Sequence, residues 1–246
     1  MNATIALKTL LNIAGAGLIA TALVAQTPPA SHDTHAAAGA EQLQREGPLG
    51  AIHAHLCGFH FYSGDMKRAV RVEHYCSHLN ADVFQCVVYD STAPNARLIG
   101  VEYIISEALF KNLPAEEKKL WHSHRYEVMS GLLTATSLSD AAEKELMTEF
   151  VSTYGKTWTL WQVDRGDKLP LGLPKLMMGF TADGQLDPKL AASRDRELKL
   201  ESAQVKAGRA DIPTRPIAPG ADAWQQGTAF QISDDLLKQI PATPKP

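Results

Sequence analysis

Seven of the nine histidines fall between His53 and His124, and all three cysteines, Cys57, Cys76 and Cys86, lie in the same stretch. Imidazole nitrogen and thiolate sulfur are the protein ligands that zinc, copper and iron prefer. Thiols can also pair with each other. An odd cysteine count leaves three outcomes open: one disulfide with a leftover thiol, an intermolecular bond, or metal ligation. The chemistry turns on which side chains share a face.

Residues alternate between faces along a strand, so His74, Cys76 and His78 point the same way if 68–79 is extended. A tight turn near Ala81 then places Cys76 opposite Cys86. A turn centred near Gly64 and Asp65 places His55 opposite His74 and Cys57 opposite Val72. One face would collect His55, Cys57, His74, Cys76, His78 and Cys86, and a one-residue slip in either hairpin would send half of them to the other side. Valines 70, 72 and 88 and Phe84 fall on the same face, so the set also reads as ordinary core. A helix at 70–79 would instead give His74 and His78 the i, i+4 spacing of a metal pair. The intervening Tyr75-Cys76-Ser77 lacks the glutamate of the His-Glu-x-x-His metalloproteases.

His122-Ser123-His124 is the second candidate. With Glu127 or Glu102 it makes a two-histidine, one-carboxylate set of the kind that binds divalent metal. A divalent metal on His55, Cys57, His74, Cys76, His78, His122 and His124 is therefore the candidate cofactor, its identity open. Asp90, Glu102 and Glu127 are the acids best placed for proton transfer. Arg165-Gly166-Asp167 reads as a turn. Phosphate-binding glycine loops, the Gly-x-Ser-x-Gly elbow and the dinucleotide fingerprint are absent from the sequence.

The elements that must position these residues are strands at 53–62, 68–79, 83–90 and 97–105, separated by Ser63-Gly64-Asp65, Asn80-Ala81-Asp82 and Ser91–Asn95. They predict a four-stranded antiparallel meander. Ser106 caps a helix through Phe110, and Pro114 starts another over 115–121. Residues 124–133 alternate as a strand. Ser139 opens a helix with Ala142, Leu146, Phe150 and Tyr154 on one stripe and Gly155 past its end. Residues 156–164 and 176–181 read as strands, and 187–207 as a charged helix. The fold class is α+β, an antiparallel sheet with flanking helices in a single domain.

Lys8, the apolar run from Thr9 to Ala25 and the small residues Ala20, Ala22 and Ala25 follow the secretory pattern. They predict a signal peptide over 1–25 and an exported protein, periplasmic or secreted. Residues 26–48 read as a disordered linker, 49–211 as the domain, and 212–246 as a proline-rich tail partly draped on it. A formal charge of −3 gives no general nucleic-acid footprint.

His55–His60, Glu73–Cys76, Gln85–Asp90, Leu98–Ser106, Leu120–Val128, Ser130–Leu132, Tyr154–Trp158, Trp161–Asp167 and Leu169–Gly172 together resemble the oil body-associated protein family, over residues 45–232. The resemblance implies a link to lipid droplets and no settled catalytic activity. The sequence lacks a long apolar hairpin, so the expected partner is a lipid or membrane surface touched peripherally. The family's motif histidines fall on His55, His74, His122 and His124, with Cys76 beside them.

Overall fold

A computed structural model describes residues 47–238. The residues on which the signal-peptide expectation rests lie outside that range. Seven strands form one antiparallel sheet: β1 (Ala54–Tyr62), β2 (Asp65–Asn80), β3 (Val83–Tyr89), β4 (Leu98–Ser106), β5 (His122–Ser123), β6 (Thr153–Thr159) and β7 (Lys175–Met178). The first four make the expected meander. The sheet does not stay open. β4 also pairs with β6, β6 with β7, and β7 with β1, so six strands close a barrel in the order β1-β2-β3-β4-β6-β7, with β5 added beside β6. Closure removes unpaired sheet edges and creates an interior that only inward-facing residues see.

Among the described residues seven α-helices accompany the sheet: α1 (Gly47–Gly50), α2 (Glu107–Lys111), α3 (Ala115–Lys118), α4 (Arg125–Ser130), α5 (Asp140–Phe150), α6 (Pro188–Leu198) and α7 (Ser202–Gly208). Ser106, Ser139 and Asp187 cap α2, α5 and α6 with side-chain oxygens. Val128 of α4 and Met147 and Phe150 of α5 pack with Leu56, Phe84 and Ile104.

Three expected elements differ. Residues 124–133 are not a strand: after β5 the chain turns into α4, which stops at Gly131 with φ 78°. A Cβ there would meet the Ser202 carbonyl at 2.9 Å. α5 ends at Phe150, so Tyr154 and Gly155 belong to β6. The alternation of Thr153, Thr157 and Thr159 with Tyr154 and Trp158 suits a pleated surface better than a helix. The charged helix at 187–207 is two helices, broken at Lys199 with φ 54°.

The β1–β2 register also differs, and it decides the site. Leu56, not His55, lies opposite His74, and Cys57 lies opposite Glu73. The cause is a bulge. Met66, Lys67 and Arg68 intervene between Asp65 and Ala69 on β2, while nothing separates Tyr62 from Phe61 on β1. The β2–β3 register is the expected one, with Cys76 opposite Cys86.

Candidate metal centre inside the barrel

The inward face of β1 carries Gly58 and His60, that of β2 His74, and that of β4 Glu102, which faces Thr157 of β6. β5 and the start of α4 add His122, His124 and Glu127 from the side. All six polar residues are buried, none more than 3 % exposed. Their reactive atoms converge on one carboxylate. His74 Nε2 lies 2.7 Å from Glu102 Oε2, and His60 Nε2 lies 3.8 Å from the same oxygen. His124 Nε2 is 3.1 Å and His122 Nε2 3.5 Å from Glu102 Oε1. His122 Nε2 also lies 3.9 Å from Glu127 Oε2.

Glycines make the room. A Cβ at Gly155 would collide with Glu102 Oε1 and with His122 Nε2, and one at Gly179 would sit 2.9 Å from Glu127 Oε2. The segment bearing both His122 and His124 is fixed from outside by Asp222. Its carboxylate accepts from the backbone N–H and the hydroxyl of Ser123, at 3.0 and 2.7 Å. Asp222 itself holds φ 52°, an uncommon conformation for a residue with a side chain.

The tautomers follow from the outer contacts. Thr153 Oγ1 has one proton, which goes to the Phe150 carbonyl at 2.8 Å. The His124 Nδ1 contact to that hydroxyl, also 2.8 Å, must therefore be donated by the ring. With Nδ1 protonated, the imidazolium donates Nε2–H to Glu102 Oε1 at 3.1 Å, and the neutral ring offers its Nε2 lone pair there to a cation. His74 Nδ1 likewise faces only the Leu56 carbonyl, at 3.4 Å, so it carries the proton. Its Nε2 approaches Glu102 without the alignment of a ring N–H hydrogen bond. Donating Nδ1–H outward and aiming Nε2 inward is how metal-ligating histidines are held.

Electrostatics divide the cluster: His60, His124 and Glu102 are held in their ligating forms, His74 and Glu127 toward their protonated ones. Burial pushes His60 and His124 below the ordinary imidazole range, against the pull of Glu102. Burial acts on His74 too, but the adjacent Glu102 carboxylate overrides it and raises the ring's pKa. Burial would raise Glu102; the surrounding imidazoles, His74 foremost, hold it well below the carboxylate range. Burial pushes Glu127 well above that range, and the charges of Glu102 and Asp222 add to the shift. Four buried polar atoms of the cluster have no hydrogen-bond partner in addition to His74 Nε2: His60 Nδ1, both His122 nitrogens and Glu127 Oε2.

Of the residues singled out from sequence, His74, His122 and His124 meet here, with the acids Glu102 and Glu127. The others do not. His55 faces outward, stacked on Tyr75 and 2.9 Å from Glu73. Cys57 is buried outside the barrel as a free thiol, and burial pushes its pKa up to about 11, the reverse of what a ligand thiolate needs. Cys76 is joined to Cys86 in a disulfide. His78 is on the rim, stacked on His53 at 5.0 Å. Asp90 pairs with Arg97. His60 was missed, because its partner is set by the bulge and not by the turn.

Comparison with known proteins accords with the sequence motifs. A family model described as "Protein of unknown function (DUF1264)" matches residues 46–213. Oil body-associated protein 1A of Zea mays is 44% identical over 194 residues, covering 78% of this chain and 82% of the relative. Oil body-associated protein 1B of Arabidopsis thaliana is 41% identical over 203 residues, 82% of this chain and 84% of the relative. Oil body-associated protein 2A of Zea mays is 42% identical over 208 residues, 82% of each. No solved structure matches. The relatives' names correct the expectation of export: they point to oil bodies, not to a periplasmic or secreted protein. By the family model and by these relatives, the chain belongs to the DUF1264 family, that of the oil body-associated proteins.

Proposed function

We propose that this protein binds one divalent transition metal inside its barrel, held by His60, His122 and His124 with Glu102, and with His74 and Glu127 completing the site. The observation that carries the reading is the convergence of the Nε2 atoms of His60, His122 and His124 on the buried Glu102 carboxylate, at 3.8, 3.5 and 3.1 Å. Imidazole nitrogens gathered round a buried carboxylate are a ligand set for a divalent metal. Ligand atoms about 2.1 Å from a shared metal lie roughly 3.0–3.4 Å from one another at octahedral or tetrahedral angles. The separations of 3.1 and 3.5 Å to Glu102 Oε1 fall near that range.

A metal-free account rests on the Glu102–His74 ion pair and the His124 Nε2–Glu102 Oε1 hydrogen bond. It leaves His122 with two orphaned nitrogens, each costing on the order of 1–3 kcal/mol when buried. Dialysis against a strong chelator tests the choice. A bound metal predicts a lowered melting temperature that zinc, manganese or iron restores; an unchanged melt contradicts it.

A second reading concerns partners. We propose that the protein touches lipid surfaces peripherally through the loop before β7, where Leu169 and Leu171 are 61% and 54% exposed. The relatives' names support it. Among the described residues no helix is long and apolar enough to cross a membrane. Replacing both leucines with serine is expected to reduce co-flotation with phospholipid-coated oil droplets; equal flotation contradicts the reading.

A further inference from the structure

The six side chains of the proposed metal centre are at most 3% exposed, so an ion reaches them only when part of the wall moves. Along the barrel the centre is plugged on both sides by apolar side chains. Val72, Val88, Ile99 and Met177 lie beyond His60, and Leu56, Phe84, Ile104 and Phe150 lie on the opposite side. A hydrated cation crossing either plug would shed its water with nothing to replace it. The polar route is sideways, through β5.

β5 pairs with β6 at His122–Gly155 and Ser123–Tyr154 and, among the described residues, with no other strand. Its free edge is covered by Ile217–Ala223, in a stretch that runs without helix or strand from Arg209 to Asp222. Asp222 donates its N–H to the Trp121 carbonyl at 3.0 Å and receives both bonds from Ser123. The Ala218 N–H donates to the Tyr154 hydroxyl at 2.8 Å, and Ala218 and Ala221 pack with Phe110, Trp121 and Tyr154. Gly220, with φ 100°, sits so close to α3 that a Cβ would meet Lys118 Cβ at 3.0 Å. A few bonds and small-residue contacts hold this segment where ladders hold the other walls, so it opens at the lowest cost. A cleft lined by Ser123, Thr153, Tyr154, Pro216 and Ile217 already runs in beside it.

We propose that Ile217–Ala223 is the gate of the metal centre, with Asp222 as its catch: the segment lifts off β5 for an ion to enter or leave, then closes again. The inference rests on the metal-binding reading and adds the ion's route. A gate scales the rates of entry and exit by one factor and leaves the affinity where it was. A residue that positions ligands changes the affinity instead.

The test uses the full chain with zinc as the probe. Release is followed into a chromogenic chelator, and uptake is followed from the metal-free protein. Tyr154→Phe removes one anchoring hydroxyl, and Gly220→Ala wedges the segment away from α3; both leave every ligand in place. Each is expected to speed uptake and release alike by roughly fivefold, the worth of about one hydrogen bond, with zinc content at saturation unchanged. In the wild type, hydrogen exchange read by mass spectrometry should show peptides over 121–124 and 217–223 exchanging together and faster than those of β2. Unchanged rates in both variants, faster release without faster uptake, or exchange over 217–223 as slow as in β2 overturns the gate alone. A chain that takes up no metal overturns the metal-binding reading, and the gate with it.

Discussion

Glu102 and His74 approach to 2.7 Å although they stand on β4 and β2, with β3 between them. Both side chains stand on the inward face of adjoining ladders, so the contact depends on two hairpin registers and not on one. Burial makes it costly to break from one side. Removing one partner of a buried charged pair typically destabilises by about 3–5 kcal/mol. Glu102→Ala is accordingly expected to cost about that much in urea unfolding and to abolish metal uptake. A loss below about 1 kcal/mol would show that Glu102 carries no uncompensated partners.

Glycine positions give a test that leaves every ligand in place. Gly155→Ala inserts a methyl group against Glu102 and His122, and Gly179→Ala one against Glu127. Both are expected to lower metal content. Gly208→Ala, whose Cβ meets nothing within 4 Å, should leave it unchanged. Elemental analysis of the three variants checks this, and equal metal in all three would count against the assigned geometry.

Thiol counting separates the three cysteines. Cys57 is buried and free, and Cys76 is bonded to Cys86 across a separation of 10 residues. Ellman titration should find almost no reactive thiol in the native protein, one after denaturation, and three after reduction. Closing so short a loop contributes about 2–3 kcal/mol by the chain-entropy model. A Cys76→Ser, Cys86→Ser double variant should lose stability on that order yet keep its metal.

Acid sensitivity outside the barrel interior is readable at Asp164. Burial would raise its carboxyl, but the Arg68 guanidinium at 2.7 Å and the Tyr62 hydroxyl hold it below the ordinary range. A depressed folded-state value means the stabilisation is present above the unfolded pKa, about 3.9, and is lost as pH falls through the folded value. The pair is partly exposed, so its worth is on the order of 0.5–1 kcal/mol. Melts of wild type and Asp164→Asn should differ near neutral pH and converge in acid. A gap that persists in acid contradicts the assignment.

The meander and its caps were legible because Ser106, Ser139 and the turn residues around Gly64, Ala81 and Pro94 act locally. The Cys76–Cys86 juxtaposition was legible for the same reason: the Ala81 turn is tight, and beyond a register shift between His78 and Asn80 the ladder runs evenly from His78 to Glu73. His60 was not, since three extra residues on β2 shift the β1 register and nothing near His60 announces them. Barrel closure was equally hidden. β6 pairs with β4 and β7 across long separations, and the helical stripe through Tyr154 competed with strand chemistry that prevails once Tyr154 stacks on Phe110 at 3.9 Å. The His122-x-His124 pair with Glu127 and Glu102 could be picked out by residue type alone. What brings Glu102 to it is the closed sheet.

The most direct measurement is metal content by mass spectrometry, on protein made without a histidine tag, for wild type beside His122→Ala. We predict about one divalent transition-metal ion per wild-type chain and a small fraction of that in the variant, because both His122 nitrogens are buried with nothing else to bond. Wild-type protein that stays metal-free after incubation with iron, manganese and zinc, or a His122→Ala variant loaded to the same level, would contradict the account.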